Sequence, residues 1–130
     1  MSDPTTILIH FRNQLVSFCD ELIRQFPEEG DFVVFKLFIT SQVPIKTIME
    51  SFNRYVNKNE QKIRLMIKAR NDDFFIRENL FKFLSAERKN RLSALWTDGR
   101  MDGEDKKVIW KWVDSFVMLG DRYAKVIVVA

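Results

Sequence analysis

The stretch Glu104–Tyr123, EDKKVIWKWVDSFVMLGDRY, decides the fold that this sequence predicts. At about 100° per residue, its apolar side chains other than Met118 cover roughly 200° of a helix circumference. These side chains are Val108, Ile109, Trp110, Trp112, Val113, Phe116, Val117, Leu119 and Tyr123. A helix that is apolar over more than half of its surface needs other elements on several sides. We therefore predict a central helix here, with Asp102 as its N-cap and Asp105 completing a capping box.

Length and composition favour one ordered helical domain. The chain has 130 residues, which is enough for a single core. Its hydrophobic fraction of 46%, with twelve Phe and three Trp, excludes a disordered protein. Only four Gly and three Pro occur, all near predicted helix ends, so few breakers interrupt the periodic stretches. We predict an all-α, single-domain bundle of five to six helices over residues 1–130, built around the central C-terminal helix.

The first two predicted helices precede the middle of the chain. The first covers residues 4–26, with Ser2 or Asp3 as its cap. Its packing seam consists of six residues spaced three or four apart: Leu8, Phe11, Leu15, Phe18, Leu22 and Phe26. Residues 31–40 fit either a strand or a helix. We favour a helix capped by Asp31, because a lone strand cannot pair its backbone.

Two further helices are predicted between the middle of the chain and the central helix. Residues 73–84 follow a cap at Asn71 or Asp72. Residues 86–97 follow a cap at Ser85.

Residues 44–70 combine an apolar face with a basic one. In a continuous helix, nine apolar side chains lie within about 120° of one side. They are Ile45, Ile48, Met49, Phe52, Tyr55, Val56, Ile63, Met66 and Ile67. Five basic side chains lie on the opposite side, within about 160°, and Arg70 lies just outside. They are Arg54, Lys58, Lys62, Arg64 and Lys68. Asn57 and Asn59 also allow a kink, or two shorter helices, near 57–60.

The positive charge is concentrated in this middle third. Residues 32–70 carry eight basic and two acidic side chains, a net charge of +6, whereas residues 1–31 carry −4 and residues 71–130 carry +1. Cations along one helix face can neutralise the phosphates of a nucleic acid, although a solvated face of an amphipathic helix is the alternative. Neither a recognition helix nor an RNA-binding aromatic signature accompanies them, so such binding would follow the backbone and weaken with salt.

Two apolar features are candidates for binding a protein partner. Trp110 and Trp112 lie about 200° apart on a helix, so one is expected in the core and the other at a rim or interface. The tail Ala124–Ala130 either continues the last helix or extends and adds a strand to a partner's sheet. The partner-binding candidates are Trp112, Val126, Ile127, Val128 and Val129.

The sequence contains no evident catalytic or metal-binding constellation. His10 and Cys19 stand alone, whereas zinc sites and nucleophile–base pairs need several matched groups. The Asp98–Glu104 stretch resembles a calcium loop only superficially, because Arg100 stands where the third-position ligand belongs. The clustered acids begin predicted helices, where capping and the helix dipole favour them: Asp72, Asp73, Asp102, Glu104 and Asp105. We therefore expect no enzyme activity, no cofactor and no metal ion.

Cysteine usage and the absence of long apolar runs suggest a compartment. The single cysteine excludes an internal disulfide, which fits a reducing environment. The N-terminus lacks the basic and apolar regions of a signal peptide, and no run approaches the length of a membrane span. We expect a soluble protein that stays inside the cell or is packaged in a particle assembled there.

Four short motifs carry a resemblance: NDDFF at 71–75, Leu95-Trp96, KKVIWKW at 106–112 and Tyr123. Together they resemble a pattern in small uncharacterised proteins of large nucleocytoplasmic DNA viruses, where a charged pair before two Phe precedes Leu-Trp and an Asn-Lys-x-x-Ile-Trp helix. The resemblance covers about 60–123, and Glu104-Asp105-Lys106 departs from the Asn-Lys of that pattern. It implies a location, in a virion or in the host cytoplasm or nucleus, rather than an activity.

Two functional hypotheses follow from these features. The first is a non-enzymatic interaction protein, a virion-associated or assembly component of a large DNA virus. It would pack its aromatic anchors and apolar tail onto a protein partner or a second copy. The alternative is a small nucleic-acid-associated protein that binds the phosphate backbone through the basic face of residues 54–70.

Overall fold

The computed structural model of this chain describes the backbone of residues 3–76 and 86–129, and no strand occurs within these ranges. Its elements are α1 (Pro4–Gln25), α2 (Gly30–Leu37), a π-helical turn (Phe38–Gln42), α3 (Ile45–Lys68), α4 (Asp73–Ile76), α5 (Ala86–Thr97) and α6 (Gly103–Val129). The predicted all-α fold with a long C-terminal helix is confirmed, since α6 is the longest of these elements at 27 residues.

Backbone contacts divide the chain into two compact units. The outer unit consists of Met1–Arg54 and Ser115–Ala130, and the middle unit consists of Tyr55–Asp114. The central helix α6 supplies core residues to each unit. Ile109, Trp110 and Val113 are buried in the middle unit, and Phe116, Leu119 and Tyr123 are buried in the outer unit. The assignment of residues 1–130 to a single domain stays a prediction.

Helix α6 begins with the predicted capping box. The Asp105 backbone N–H donates to Asp102 Oδ1 at 2.8 Å, and the Asp102 backbone N–H donates to Asp105 Oδ2 at 3.1 Å. These reciprocal bonds satisfy two N–H groups of the first turn, which fixes where the helix starts. Val108, at one edge of the predicted apolar arc, is 52% exposed, so the buried arc is narrower than predicted.

Helix α1 buries a face that differs slightly from the predicted seam. Asp3 Oδ1 accepts the Thr6 N–H at 2.7 Å, which identifies Asp3 as the cap; Ser2 lies outside the described residues. Phe11, Leu15, Leu22 and Phe26 are buried as predicted, whereas Leu8 and Phe18 are half-buried. Ile7 and Cys19 take their places, because buried side chains recur here every fourth residue from Ile7 to Cys19.

Residues 30–42 are helical, as favoured over a strand, but the predicted cap at Asp31 is wrong. The N-cap is Glu29, and Asp31 lies two residues further on, within the first turn, where it is buried. Gly30 is the first residue of the helix, so the helix starts one residue earlier than predicted. Asp31 lies in the first turn, where an acid suits the helix dipole. The last turn of this segment is π-helical, from Phe38 to Gln42.

Helix α3 is broken, which the sequence had allowed near 57–60. Lys58 is extended, and the next three residues have left-handed backbone angles, with φ of 53°, 56° and 65° at Asn59, Glu60 and Gln61. The nine predicted apolar positions are all buried or half-buried. The hydrophobic pattern therefore predicted burial correctly on both sides of the break.

The shorter helices follow the predicted bounds where they are described. Asn71 Oδ1 accepts the Asp73 N–H at 3.0 Å, which makes Asn71 the side chain that caps α4. Helix α5 covers Ala86–Thr97 as predicted. The predicted continuation of α4 over 77–84 and the cap at Ser85 lie outside the described residues.

Gly120 allows a close approach inside the outer unit. Asn53 Nδ2 on α3 donates to the Gly120 carbonyl on α6 at 3.0 Å. A Cβ atom at Gly120 would lie 2.2 Å from Asn53 Oδ1, well inside contact distance. The glycine thus makes room for a side-chain-to-backbone bond between two helices.

We predict that the effect of Gly120→Ala on stability depends on Asn53. In the Asn53→Ala background, Gly120→Ala should stabilise the protein by about 1 kcal/mol, because alanine is the better helix former. In the natural background this gain is offset by the displaced Asn53 and the loss of about 1 kcal/mol of hydrogen bonding. Denaturant unfolding of the four proteins measures the coupling, and strictly additive changes would contradict this contact.

Candidate functional site

The five predicted basic residues lie on both sides of the break in α3. Arg54, Lys58, Lys62 and Lys68 are exposed, whereas Arg64 is half-buried. Arg64 Nη2 donates to Asn57 Oδ1 at 2.9 Å, and the Lys58 ammonium lies 5.1 Å from the centre of the Tyr55 ring. Both contacts bind a cation to a residue of its own helix.

The break changes how these cations relate to one another. Their assignment to one face required a continuous helix, and four residues at 58–61 depart from helical geometry. Arg54 belongs to the outer unit, whereas the other four belong to the middle unit. The structure therefore places four of the five cations in solvent without reproducing the single stripe on which the prediction rested.

Arg70 closes the end of α3 in a conformation that the sequence does not reveal. Its φ is 55°, and its N–H donates to the Ile67 carbonyl at 3.1 Å while the Asn71 N–H donates to the Met66 carbonyl at 2.9 Å. These two bonds form a Schellman motif, whose left-handed position is usually a glycine. No glycine is present here, so the usual signal for this helix end is missing.

The Arg70 side chain forms a two-point contact with Asp114 inside the middle unit. Its two terminal nitrogens donate to the two Asp114 carboxylate oxygens at 2.8 and 2.6 Å. The guanidinium also lies 5.4 Å from the centre of the Trp110 ring. This fork-to-fork geometry suits arginine and excludes an equivalent lysine contact.

Four aromatic rings form the core beside this ion pair. Phe75 stacks on Trp96 with ring centres 4.0 Å apart, and both rings meet Trp110 edge-on at 4.9 and 5.9 Å. Phe74 lies 5.8 Å from Trp110. Lys106 places its ammonium 5.2 Å from the centre of the Trp96 ring. Because Phe74, Trp96 and Trp110 are buried, this cluster is a packed core flanked by two cations.

The predicted partner-binding residues have mixed placements. Trp110 fills the core at 5% exposure, and Trp112 is half-buried, which matches the expected division between the two. The tail is helical as far as Val129, Val126 is half-buried and Ile127 is 45% exposed. The side chains of Val128 and Val129 lie outside the described residues.

Three exposed apolar side chains lie close together on the short helix α2, and the sequence did not indicate this surface. Val33, Val34 and Leu37 are 44%, 40% and 56% exposed. At helical spacing these three lie within about 100° of one another, opposite the buried Phe32. We call them the α2 apolar face. The signal was present as the apolar run 32–38, interrupted only by Lys36, in which the sequence cannot distinguish a buried face from an exposed one.

The isolated candidates for chemistry are accounted for by local contacts. Arg100 donates from its backbone N–H and from Nε to the Asp98 carboxylate, and these bonds hold the pKa of that carboxyl below its usual range. Asp98 is therefore engaged by Arg100, two residues further along the chain. His10 is exposed. Among the described residues, no group of three or more potential ligands is placed to hold a metal ion.

Cys19 is a core thiol. It is fully buried on α1, and burial raises the pKa of the thiol to about 12, with the nearby Asp20 carboxylate adding to the rise and Lys36 opposing it. The Lys36 ammonium is held by Asp20 at 2.6 Å. A thiol with this pKa stays protonated at neutral pH and is a poor nucleophile.

A shallow cavity of about 340 Å³ lies in the outer unit, beside the π-helical turn. Arg12 lines it and donates to the Thr40 carbonyl at 3.4 Å, and Pro44 closes the other side. The cavity brings together one cation and several backbone groups at the start of α3. The two hydroxyls in its lining, of Thr40 and Ser41, donate to the carbonyls of Lys36 and Leu37, and no lining carboxylate or imidazole could act as their base.

Comparison with protein-family models, with curated proteins and with solved structures finds no match to this chain. Over the residues whose placement is described, no single helix is long and apolar enough to cross a membrane; only the bent pair Gly30–Gln42 and Ile45–Lys68 reaches the length and composition when taken together.

We predict that Arg70 stabilises the middle unit through its side chain at a cost in backbone conformation. Arg70→Ala should destabilise the protein by about 1 kcal/mol, since the pair with Asp114 is partly exposed. Arg70→Gly should be less destabilising, because glycine adopts the left-handed conformation freely. Chemical unfolding at low and high salt measures both variants, and equal stability of the alanine and glycine variants would contradict the backbone part of this account.

Proposed function

We propose that this chain is a non-enzymatic helical interaction protein that packs against another protein surface through the α2 apolar face. The observation that supports the proposal is the exposure of Val33, Val34 and Leu37 at 44%, 40% and 56%. An apolar helix face that packs against an apolar surface of another protein is a recurring mode of recognition.

Helix α2 is apolar on both sides, although it is only eight residues long. Its inner side is held by the buried Phe32, whose ring centre lies 6.4 Å from that of Phe26. The outer side consists of the α2 apolar face. Removing the exposed part of these three side chains from water would contribute about 3 kcal/mol to association.

The partner we propose is a second copy of this chain, because each copy offers the same apolar face. A two-fold axis through this face would bring Val33, Val34 and Leu37 of one copy onto those of the other. Trp112 and the exposed Ile127 are further candidates on α6. The resemblance of residues 60–123 is the basis for placing this role in the virion or in the host cytoplasm or nucleus of a large DNA virus.

Exposed cations around the break in α3 favour a second candidate function, namely binding to a nucleic-acid backbone. Arg54, Lys58, Lys62 and Lys68 are exposed, in a third of the chain whose net charge is +6. Arg70 is engaged by Asp114 and does not add to this set. Because the break separates these residues into two groups, each group would contact phosphates independently.

We predict that charge placed on the α2 apolar face abolishes self-association. Val34→Glu with Leu37→Glu should leave the protein monomeric at concentrations where the natural chain associates, because each carboxylate would lose its hydration in the interface. Leu65→Glu is the matched control, since Leu65 is 60% exposed on α3. Light scattering over a concentration series measures the effect, and association that survives the double substitution would contradict this surface.

Charge reversal tests the nucleic-acid candidate. Replacing Arg54, Lys58, Lys62 and Lys68 by Glu should abolish binding to a duplex or single-stranded oligonucleotide and should remove up to about four units of salt slope. Replacing the exposed Lys111 and Lys125 of α6 by Glu is the control. Fluorescence anisotropy at two salt concentrations is the measurement; oligonucleotide binding that is unchanged by the reversal would contradict this candidate.

A further inference from the structure

The most strained segment of the described backbone is the break in α3. Asn59, Glu60 and Gln61 all have φ between 53° and 65°, a region that L-residues with a Cβ atom avoid. A run of three such residues without a glycine is unusual, since only glycine enters this region without cost. We call residues 58–61 the hinge.

Three of the four hinge residues favour a helix, in conflict with the hinge conformation, and only Asn59 tolerates left-handed angles. Glu60, Gln61 and Lys58 are good helix formers, and no glycine or proline lies within α3. The apolar positions before and after the hinge also fall within about 120° of one side when α3 is drawn as a continuous helix. A local conflict of this kind marks a segment that surrounding contacts hold out of its preferred state.

Two polar contacts join residues before the hinge to residues after it. Across the hinge itself, Arg64 Nη2 donates to Asn57 Oδ1 at 2.9 Å. Asn57 precedes the hinge and Arg64 follows it, so this contact closes the broken form within one copy. Before the hinge, Asn53 is bonded to the Gly120 carbonyl at 3.0 Å.

Residues 1–57 are joined to the remainder of the chain only through the hinge. Residues 1–54 belong to the outer unit and pack on the second half of α6, where the Phe11 and Phe18 rings lie 5.9 and 5.6 Å from the ring of Phe116. Residues 55–57 belong to the middle unit. A second copy carries the same α6 surface. It can therefore accept residues 1–57 with the same contacts, once the hinge has opened.

We propose that residues 58–61 are the hinge of a domain-swapped dimer, in which α3 becomes continuous and residues 1–57 of each copy take the place of residues 1–57 in the other. Residues 1–54 of one copy then pack on residues 115–130 of the other. The exchange retains the core contacts of the outer unit and releases the left-handed strain at two hinges. It is independent of the α2 apolar face, which stays exposed in either form.

Opposite substitutions at one hinge position test this inference. Glu60→Gly relieves the left-handed strain and should lower the dimer-to-monomer constant by roughly 30-fold or more, since two hinges contribute. Glu60→Ala retains the strain, favours the helix and should raise the constant above that of the natural chain. Ser51→Gly and Ser51→Ala form the matched control pair, because Ser51 is exposed and helical in α3 and should leave the constant unchanged.

The constants are measured by size-exclusion chromatography with light scattering after refolding at high protein concentration. The isolated dimer is then prepared from mixed isotopically labelled and unlabelled copies. Isotope-filtered NOE spectra should show contacts of Phe11 and Phe18 with Phe116 between copies, in contrast to the monomer, where they arise within one chain.

Two results would overturn the inference. One is a natural chain and a Glu60→Ala variant that both stay monomeric after refolding at high concentration. The other is a dimer whose contacts to Phe116 arise only within one copy. Val34→Glu with Leu37→Glu separates the two proposals, since it should abolish a dimer formed through the α2 apolar face and leave a swapped dimer intact.

Discussion

The burial of the apolar arc of α6 is the constraint on which the rest of this structure depends. A 27-residue helix with large side chains around more than half of its circumference cannot be covered by one neighbour. The chain meets this requirement by dividing the helix between two cores. Trp110 and its neighbours serve the middle unit, and Phe116, Leu119 and Tyr123 serve the outer unit.

Polar contacts then fix how α3 meets α6 within each unit. In the outer unit, Asn53 donates to a backbone carbonyl at Gly120, where the absence of a side chain admits it. In the middle unit, Arg70 reaches Asp114 from the end of α3. Apolar packing tolerates small slips between helices, whereas each of these bonds has a defined length and direction. They give the two halves of α3 a specific register against α6.

The features that the sequence predicted correctly are those with a repeating or local signal. The capping box at Asp102 and Asp105 needs only residues three apart, and the apolar positions of α3 recur at the helical period. The sequence did not predict the Schellman ending at Arg70, because its usual glycine is absent. Nor did it predict the contact between Asn53 and Gly120, which are 67 residues apart.

The candidate surfaces also divide into features with a local signal, which the sequence predicted, and features that depend on packing or backbone conformation, which it did not. The exposure of Lys58 and Lys62 followed from their polarity, but their arrangement depended on backbone angles that three non-glycine residues adopt against their preference. The α2 apolar face was hidden for another reason. In the run Phe32–Phe38, buried and exposed positions carry the same kinds of side chain, so only the packing of the neighbouring helices distinguishes them.

The position of the break in α3 has a physical cause in the same pattern. Between the buried Val56 and Ile63, six consecutive residues are polar, so a break there exposes no apolar surface. A break elsewhere in α3 would leave apolar side chains without cover. Val56 and Ile63 are seven residues apart, which is nearly two helical turns. In a continuous helix these two side chains would therefore lie on the same side. The segment that is easiest to break is therefore also one that a continuous helix accommodates.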